Sequence, residues 1–176
     1  MPEAPEITEM RKNCEDRDYV LKTVQTNGKL LEFAAEKYKE DREIALKAVL
    51  NNPEALEFVG PQLRKDREIV FESVSKLGWT YCYVDECLKD DKELLLSGLE
   101  ITGQILYFAS KEMRDDKDVV LKAIDNKPII VKYASKRLRT DVDVGIAVMK
   151  KNKKCFKFLE PELQQNEEIQ KIKNEE

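Results

Sequence analysis

The chain has 176 residues, of which 41% are hydrophobic and 38% are charged, and its net charge is −4. This length and composition predict one folded domain, and no apolar stretch approaches the roughly 20 residues that a membrane-spanning helix needs. Histidine is absent, which removes the commonest general base and the usual nitrogen ligand of zinc, and the four cysteines lack C-x-x-C spacing. We therefore expect a non-enzymatic protein with free thiols, no cofactor and no bound metal.

The N-terminal segment, residues 1–15, carries four glutamates and has no apolar core of the kind that marks a secretory signal. On this ground we expect a cytoplasmic protein. Residues 5–14 are expected to form one irregular helix that covers the first repeat as an N-terminal cap.

Aspartate then recurs every 25 residues without an insertion. The recurring positions are Asp16, Asp41, Asp66, Asp91, Asp116 and Asp141, with Asn166 next in the series. The following residues also recur, as in DREIALKAV from Asp41 and DREIVFESV from Asp66. This periodicity predicts six copies of one unit, at residues 16–40, 41–65, 66–90, 91–115, 116–140 and 141–165. We number the places of a copy from its aspartate, which is place 1.

The first half of each copy has the pattern of an amphipathic α-helix. The aspartate is expected to be its N-cap, and an acidic residue at place 3 complements the positive end of the helix dipole. Apolar residues recur at places 4, 5, 8 and 9, as with Ile69, Val70 and Val74, which is the spacing of one buried stripe.

The second half of each copy predicts a chain reversal and a second short helix. Place 13 is glycine or proline in the first five copies, which predicts that the first helix ends through a left-handed glycine or a proline without an N–H. An aromatic residue stands at place 18 of every copy: Phe33, Phe58, Tyr83, Phe108, Tyr133 and Phe158. These rings are expected to wedge between neighbouring copies.

The copies are expected to stack, because helices of about ten residues do not persist alone in water. The predicted fold is therefore all-α, an α-solenoid of six 25-residue helix-turn-helix repeats over residues 16–165. Residues 166–176 begin a seventh copy in which Ile169 and Ile172 are the only large apolar residues. This polar helix is expected to cap the C-terminal end.

The recurring pattern D-[RK]-[ED]-x-V-L-x-A-V followed by L-x-[FY]-A-S-x-x-L-[RK] resembles a family of short helical repeats that is known only as a domain of unknown function. That family occurs in tandem in proteins of protists and of some bacteria that live with eukaryotic hosts. The resemblance covers residues 16–165, is closest at residues 41–49, 66–74 and 107–114, and is weakest at Val142, Gly145 and Lys153. It implies a helical array and implies no catalytic activity.

A candidate binding strip follows from places 14, 17 and 21 of the second helix, which are expected on the face away from the apolar stripe. The middle copies carry Trp79 and Tyr107 on this strip, together with Glu86 and Lys111. Aromatic side chains among charges are typical anchors of protein interfaces. The alternative for Trp79 is that its ring folds over a neighbouring helix and fills a gap.

Charge is unevenly distributed along the chain. Residues 66–115 contain six basic and eleven acidic side chains, whereas residues 116–157 contain twelve basic and five acidic ones. The basic part of the strip consists of Lys132, Lys136, Lys154 and Lys157. Such a surface attracts phosphates or acidic protein surfaces, although lysines on exposed helix faces also serve solubility alone.

Two functions are compatible with these patterns. The first is a scaffold or adaptor that binds a protein partner through Trp79, Tyr107 and the charged residues around them. The alternative is an electrostatic binder of nucleic acid or another anionic surface through the basic C-terminal copies. The net charge of −4 and the small number of aromatic residues beside the lysines favour the first.

Overall fold

The computed structural model describes residues 4–175. The chain divides into two compact units, Met1–Leu88 and Lys89–Glu176. Throughout residues 4–175 the regular structure is α-helix or 3-10 helix, and that range contains no β-strand. The predicted all-α class is therefore confirmed. Residues 1–3 of the predicted N-terminal cap and residue 176 of the predicted C-terminal cap lie outside the described residues.

The first unit repeats the order of long α-helix, 3-10 helix (η) and short one-turn helix. Its elements are α1 (Pro5–Lys12), α2 (Arg17–Thr26), η1 (Gly28–Phe33), α3 (Glu36–Lys39), α4 (Arg42–Asn51), η2 (Pro53–Glu57), η3 (Leu63–Lys65), α5 (Arg67–Val74), η4 (Gly78–Tyr83) and η5 (Glu86–Leu88). Helices α2, α4 and α5 contact one another in series, as do η1, η2 and η4. Helix α1 contacts η1 and buries Met10 completely.

The second unit has the same order of elements. They are α6 (Lys92–Leu99), η6 (Gly103–Phe108), α7 (Lys111–Arg114), α8 (Lys117–Asn126), η7 (Pro128–Tyr133), α9 (Lys136–Arg139), α10 (Val142–Lys151), η8 (Lys153–Phe158), α11 (Pro161–Gln164) and α12 (Glu167–Asn174). Helices α6, α8, α10 and α12 contact one another in series, and so do η6, η7 and η8. Each unit thus buries its long helices against the next ones along the chain.

The predicted N-caps are confirmed at every recurring aspartate. Each carboxylate accepts a hydrogen bond from a backbone N–H in the first turn of its helix, and Asn166 does the same for α12. The buried stripe is confirmed as well, because Ile69, Val70 and Val74 are fully buried. Burial of one such side chain contributes about 1.5–3 kcal/mol, so the stripe is a main source of stability.

The glycines at place 13 serve a different purpose from the predicted one. No residue among 4–175 has a positive φ angle, so the prediction of a left-handed turn is wrong. The chain turns through an extended residue at place 12, as at Asn27 with φ −145° and ψ 90°. At Gly103, a glycine is favoured because the next long helix passes close by. A Cβ atom at Gly103 would lie only 2.5 Å from the carbonyl oxygen of Ala123.

The sequence predicts one short helix in the second half of each copy. The structure has instead a 3-10 helix followed by a separate helical turn. Two extended residues divide them, as at Ala34 and Ala35 with ψ angles of 154° and 147°. The extended segment lets the N–H at place 20 donate to a carbonyl of the preceding copy: Gly60 donates to Lys39 at 2.9 Å. Apolar periodicity carries no information about this backbone link, so the sequence does not predict the break.

The buried places of the second half are 15 and 16 within the 3-10 helix and 19 just after it. In the second copy these are Ala55, Leu56 and Val59, all fully buried. The place-18 rings that were predicted to wedge between copies are half-buried, and Phe108 is 43% exposed. The Tyr133 ring does contact the preceding copy, with its centre 4.9 Å from that of Tyr107. The ring that is fully buried among the described residues is Tyr81, at place 16.

Ion pairs link successive copies within each unit. The basic residue at place 2 reaches the aspartate and the place-3 acid of the next copy, so Arg17 pairs with Asp41 at 2.8 Å and with Glu43 at 2.8 Å. Lys92 and Lys117 form the equivalent pairs in the second unit. Exposed pairs of this kind contribute about 0–1 kcal/mol each, so apolar burial remains the larger contribution.

Candidate functional site

The candidate surface lies in the second unit, on the exposed side of its 3-10 helices. Places 14 and 17 are one turn apart in a 3-10 helix and lie on a different side from the buried places 16 and 19. These places hold Gln104 and Tyr107 in η6, Ile129 and Lys132 in η7, and Lys154 and Lys157 in η8. All six residues are exposed, as the sequence predicts.

Three aromatic rings form the centre of this surface. The ring centre of Tyr107 lies 4.9 Å from that of Phe108 and 4.9 Å from that of Tyr133, with interplanar angles of 77° and 63°. Edge-to-face packing of this kind holds rings in place. Tyr107 nevertheless keeps 54% of its surface exposed, and the ammonium group of Lys132 lies 4.7 Å from the centre of the Tyr133 ring.

The cluster lines an open groove of about 390 Å³, which we call the apolar groove. It is lined by Gln104, Tyr107, Phe108, Lys127, Ile129, Ile130, Lys132 and Tyr133. Its volume is at the low end of the range of about 300–1,000 Å³ that is typical of ligand sites. The groove therefore has room for a side chain with part of its backbone.

A second groove of about 400 Å³, the basic groove, shares Lys132 and Tyr133 with the first. It is lined by Lys111, Arg114, Lys132, Tyr133, Ala134, Ser135, Lys136 and Arg139. Its arginines are held within the protein: Arg139 pairs with Glu160 at 2.6 Å, and the Arg114 Nε donates to the Ser110 carbonyl at 3.3 Å. The Glu160 carboxylate balances the charge of Arg139, whereas the lysines and Arg114 keep theirs.

Lys111, Lys132 and Lys136 form no ion pair with any of residues 4–175. Other lysines of the same unit are neutralised, since Lys117 pairs with two aspartates and Lys151 pairs with an aspartate at 2.5 Å. Three unpaired ammonium groups around one groove leave it positively charged. The structure thus brings these three predicted lysines together beside Tyr107.

The other two predicted lysines, Lys154 and Lys157, lie on η8 and line neither groove. Lys157 lies 5.2 Å from the centre of the Phe158 ring. Phe108 and Tyr133, by contrast, belong to the site although the apolar periodicity assigns place 18 to the core. Ile105 and Ile130, three residues before these rings, are buried, so the period of three residues per turn does not predict that the rings are accessible.

Trp79 and Glu86 lie in the first unit. The Trp79 ring is 37% exposed and packs edge-on against Tyr83, with 5.7 Å between ring centres and an interplanar angle of 67°. Burial, together with a hydrogen bond to the Glu57 carboxylate, raises the pKa of Tyr83 to about 12. Glu86 is exposed at the start of η5. The Trp79 ring therefore covers a neighbouring side chain and stays partly accessible.

A wider groove of about 620 Å³ lies at the N-terminal end of the first unit. It is lined by Pro5, Glu6, Glu9, Tyr19, Thr23, Thr26, Asn27 and Leu30. One of its carboxylates is engaged, because the Asn27 amide donates to Glu6 at 3.3 Å. None of the residues predicted as a site lies in this groove.

Two of the thiols, Cys155 and Cys87, lie in surroundings that lower their reactivity. Burial raises the pKa of the Cys155 thiol, and a hydrogen bond to the Asp85 carboxylate raises that of Cys87; a raised pKa makes a thiol less reactive. Residues 4–175 contain no group of three or more cysteine, aspartate or glutamate side chains that could hold a metal ion. Within the same range, no helix has the length and apolar character needed to cross a membrane.

A model of a family described as a domain of unknown function, DUF4116, matches three consecutive segments of the chain, residues 16–64, 66–114 and 116–164. Each segment starts at one of the recurring aspartates and spans nearly two of the 25-residue periods. The resemblance to tandem repeats of a domain of unknown function is therefore confirmed. No curated protein and no solved structure matches the chain.

Proposed function

This chain belongs to the DUF4116 family, and we propose that it is a non-enzymatic scaffold or adaptor that binds a partner protein. The family description assigns no activity, so the proposal rests on the chain's own surface. It requires no cofactor and no metal. The proposed location is the cytoplasm.

The proposed architecture is an α-solenoid of six 25-residue repeats over residues 16–165, between an N-terminal cap at 1–15 and a polar C-terminal cap at 166–176. Three observations support it. The aspartate N-caps recur with a constant spacing, the long helices of each unit contact one another in series, and the family segments begin 50 residues apart. Repeats of this kind bury their stripes on their neighbours and leave one edge of each copy exposed for binding.

The observation that carries the functional proposal is an exposed aromatic cluster beside unpaired lysines. Tyr107 is 54% exposed, Phe108 is 43% exposed and Ile129 is 39% exposed, and all three line one groove. Large apolar side chains gathered at one exposed place are typical anchors of protein interfaces. Trp79 is a second candidate anchor, on the first unit.

Nucleic acid is the competing ligand because the lysines also suit phosphates. Bases stack on open ring faces, whereas Tyr107 packs edge-to-face with two neighbouring rings. The net charge of −4 opposes a nucleic-acid backbone, which carries one charge per nucleotide, more strongly than it opposes a protein with a few carboxylates. Both facts support a protein partner over a nucleic acid.

An affinity purification from extracts of the native source tests the proposal. The baits are the full chain, Tyr107→Ala, Trp79→Ala and the control Ile101→Ala, which removes an equally exposed apolar side chain of the second unit outside both grooves. Each is used with and without nuclease. We expect proteins that survive nuclease, persist with the control and are lost with Tyr107→Ala. If the co-purified material is lost on nuclease treatment and is the same for every variant, the chain binds nucleic acid instead.

A further inference from the structure

We infer that the apolar and basic grooves of the second unit together hold one extended acidic peptide segment, with a bulky apolar side chain in the apolar groove and carboxylates against the lysines of the basic groove. This inference rests on the proposed function and gives the partner a chemical description. It follows from three features of the grooves, which are their apolar lining, their unbalanced charge and their polar groups.

The apolar groove suits a single large side chain. Its walls are the exposed parts of Tyr107, Phe108 and Ile129, with Ile130 behind them. The rings are already held by contacts with one another at 4.9 Å, so binding immobilises few additional side chains. Burial of an apolar residue in a pre-formed aromatic site is the usual source of affinity at a peptide anchor.

The basic groove supplies charge that the protein itself does not neutralise. Lys111, Lys132 and Lys136 form no ion pair with any of residues 4–175, while Arg139 beside them is already paired with Glu160. Carboxylates that follow the anchor residue along an extended peptide would meet this set of ammonium groups. Complementary charge of this kind speeds association and excludes basic partners.

The two grooves are adjacent because Lys132 and Tyr133 line both. A ligand with neighbouring apolar and acidic groups can therefore contact both. Gln104 lies at the apolar side, and its side-chain amide forms no hydrogen bond within residues 4–175. Such an amide can both donate to and accept from a peptide backbone, which a purely electrostatic phosphate site does not need.

The test selects peptides directly. A displayed library of random 12-residue peptides is selected on the full chain, and the enriched peptides are synthesised and titrated by fluorescence polarisation against four variants. Tyr107→Ala removes the anchor wall and Lys132→Glu reverses the shared charge. Ile101→Ala and Lys150→Glu are the matched controls, each an exposed side chain of the same unit outside both grooves. Melting curves verify that all four variants are folded.

We expect enriched peptides that have net negative charge and one bulky apolar residue. Their dissociation constants should rise about tenfold or more with Tyr107→Ala and with Lys132→Glu, rise with salt concentration, and change little with the controls. Enrichment of neutral or basic peptides, or dissociation constants that do not change with Tyr107→Ala and Lys132→Glu, would overturn the inference. So would failure to enrich any peptide.

The outcome also separates this inference from the proposed function. If no acidic peptide binds but extracts still yield a protein that Tyr107→Ala loses, the partner is recognised by other chemistry and the scaffold proposal stands. If extracts yield nucleic acid and a 12-nucleotide single strand competes for the grooves, both proposals are wrong.

Discussion

Replacing Gly103 by alanine tests the packing between copies, because two effects predict opposite changes in the free energy of unfolding. Gly103 has no positive φ angle, so chain entropy alone predicts that alanine stabilises the protein, by about 0.4–1 kcal/mol. The structure predicts the reverse. A Cβ atom there would lie 2.5 Å from the Ala123 carbonyl oxygen and 3.2 Å from the Lys127 Cβ. If the Gly103 backbone moved to relieve these contacts, it would strain the hydrogen bond of 3.1 Å from the Gly103 N–H to the Asn126 amide oxygen.

Backbone shifts forced by an added methyl group cost about 1–3 kcal/mol, which exceeds the entropic gain. We expect a net loss of about 1.5 kcal/mol for Gly103→Ala, or a decrease in melting temperature of about 3–6 °C for a chain of this size. Circular dichroism during thermal and urea unfolding measures both quantities.

The matched control is Gly60→Ala. Its added Cβ would meet the carboxyl end of the Glu40 side chain rather than backbone. That side chain can rotate away at small cost, so we expect a change within about 0.5 kcal/mol. The reasoning fails if Gly103→Ala is as stable as the natural chain, or if Gly60→Ala is the more destabilised of the two.

Three further predictions concern charge and burial. The hydrogen-bonded guanidinium of Arg17 holds the pKa of Asp41 below its usual value. The stability that the ionised Asp41 contributes is therefore present above about pH 4 and is lost as the pH falls below that value, through the lowered pKa. Asp41→Asn should flatten the fall in melting temperature between about pH 5 and 3, and equal slopes for the two proteins would contradict this. Val142→Arg should extend the row of ion pairs to Glu168 and raise the melting temperature by about 1–2 °C at low salt, and a gain that persists in high salt would refute the ionic origin. Cys155 is 2% exposed, so a thiol reagent should label it only as fast as the surrounding structure opens. Rapid labelling of the native protein would show that the sixth copy does not bury this thiol.

Much of the local structure could be predicted because it depends on residues close together in the chain. An N-cap needs only an aspartate and the helical turn after it, so Asp41 and its equivalents were identifiable without any tertiary contact. The 25-residue period likewise placed the start of each long helix. The role of Gly103 and the break at Ala34 and Ala35 were not identifiable in this way, since both arise from the preceding or following copy.

The candidate site was predicted in part. Tyr107, Lys111, Lys132 and Lys136 lie around one pair of grooves, as a shared strip predicts. These lysines have no carboxylate partner because of the side chains that the fold brings near them. The spacing of residues in the sequence does not predict which side chains those are.

By itself the sequence determined an all-helical chain, a 25-residue period, the aspartate caps and the residues that carry a basic aromatic strip. These properties depend on hydrogen bonds within one helical turn and on the periodicity of apolar side chains. The tertiary structure decided that the second half of each copy is a 3-10 helix and a separate turn, that Gly103 leaves room for the Ala123 carbonyl, and that Tyr107 packs against Tyr133. The physical reason is that each depends on close contact between copies about 25 residues apart.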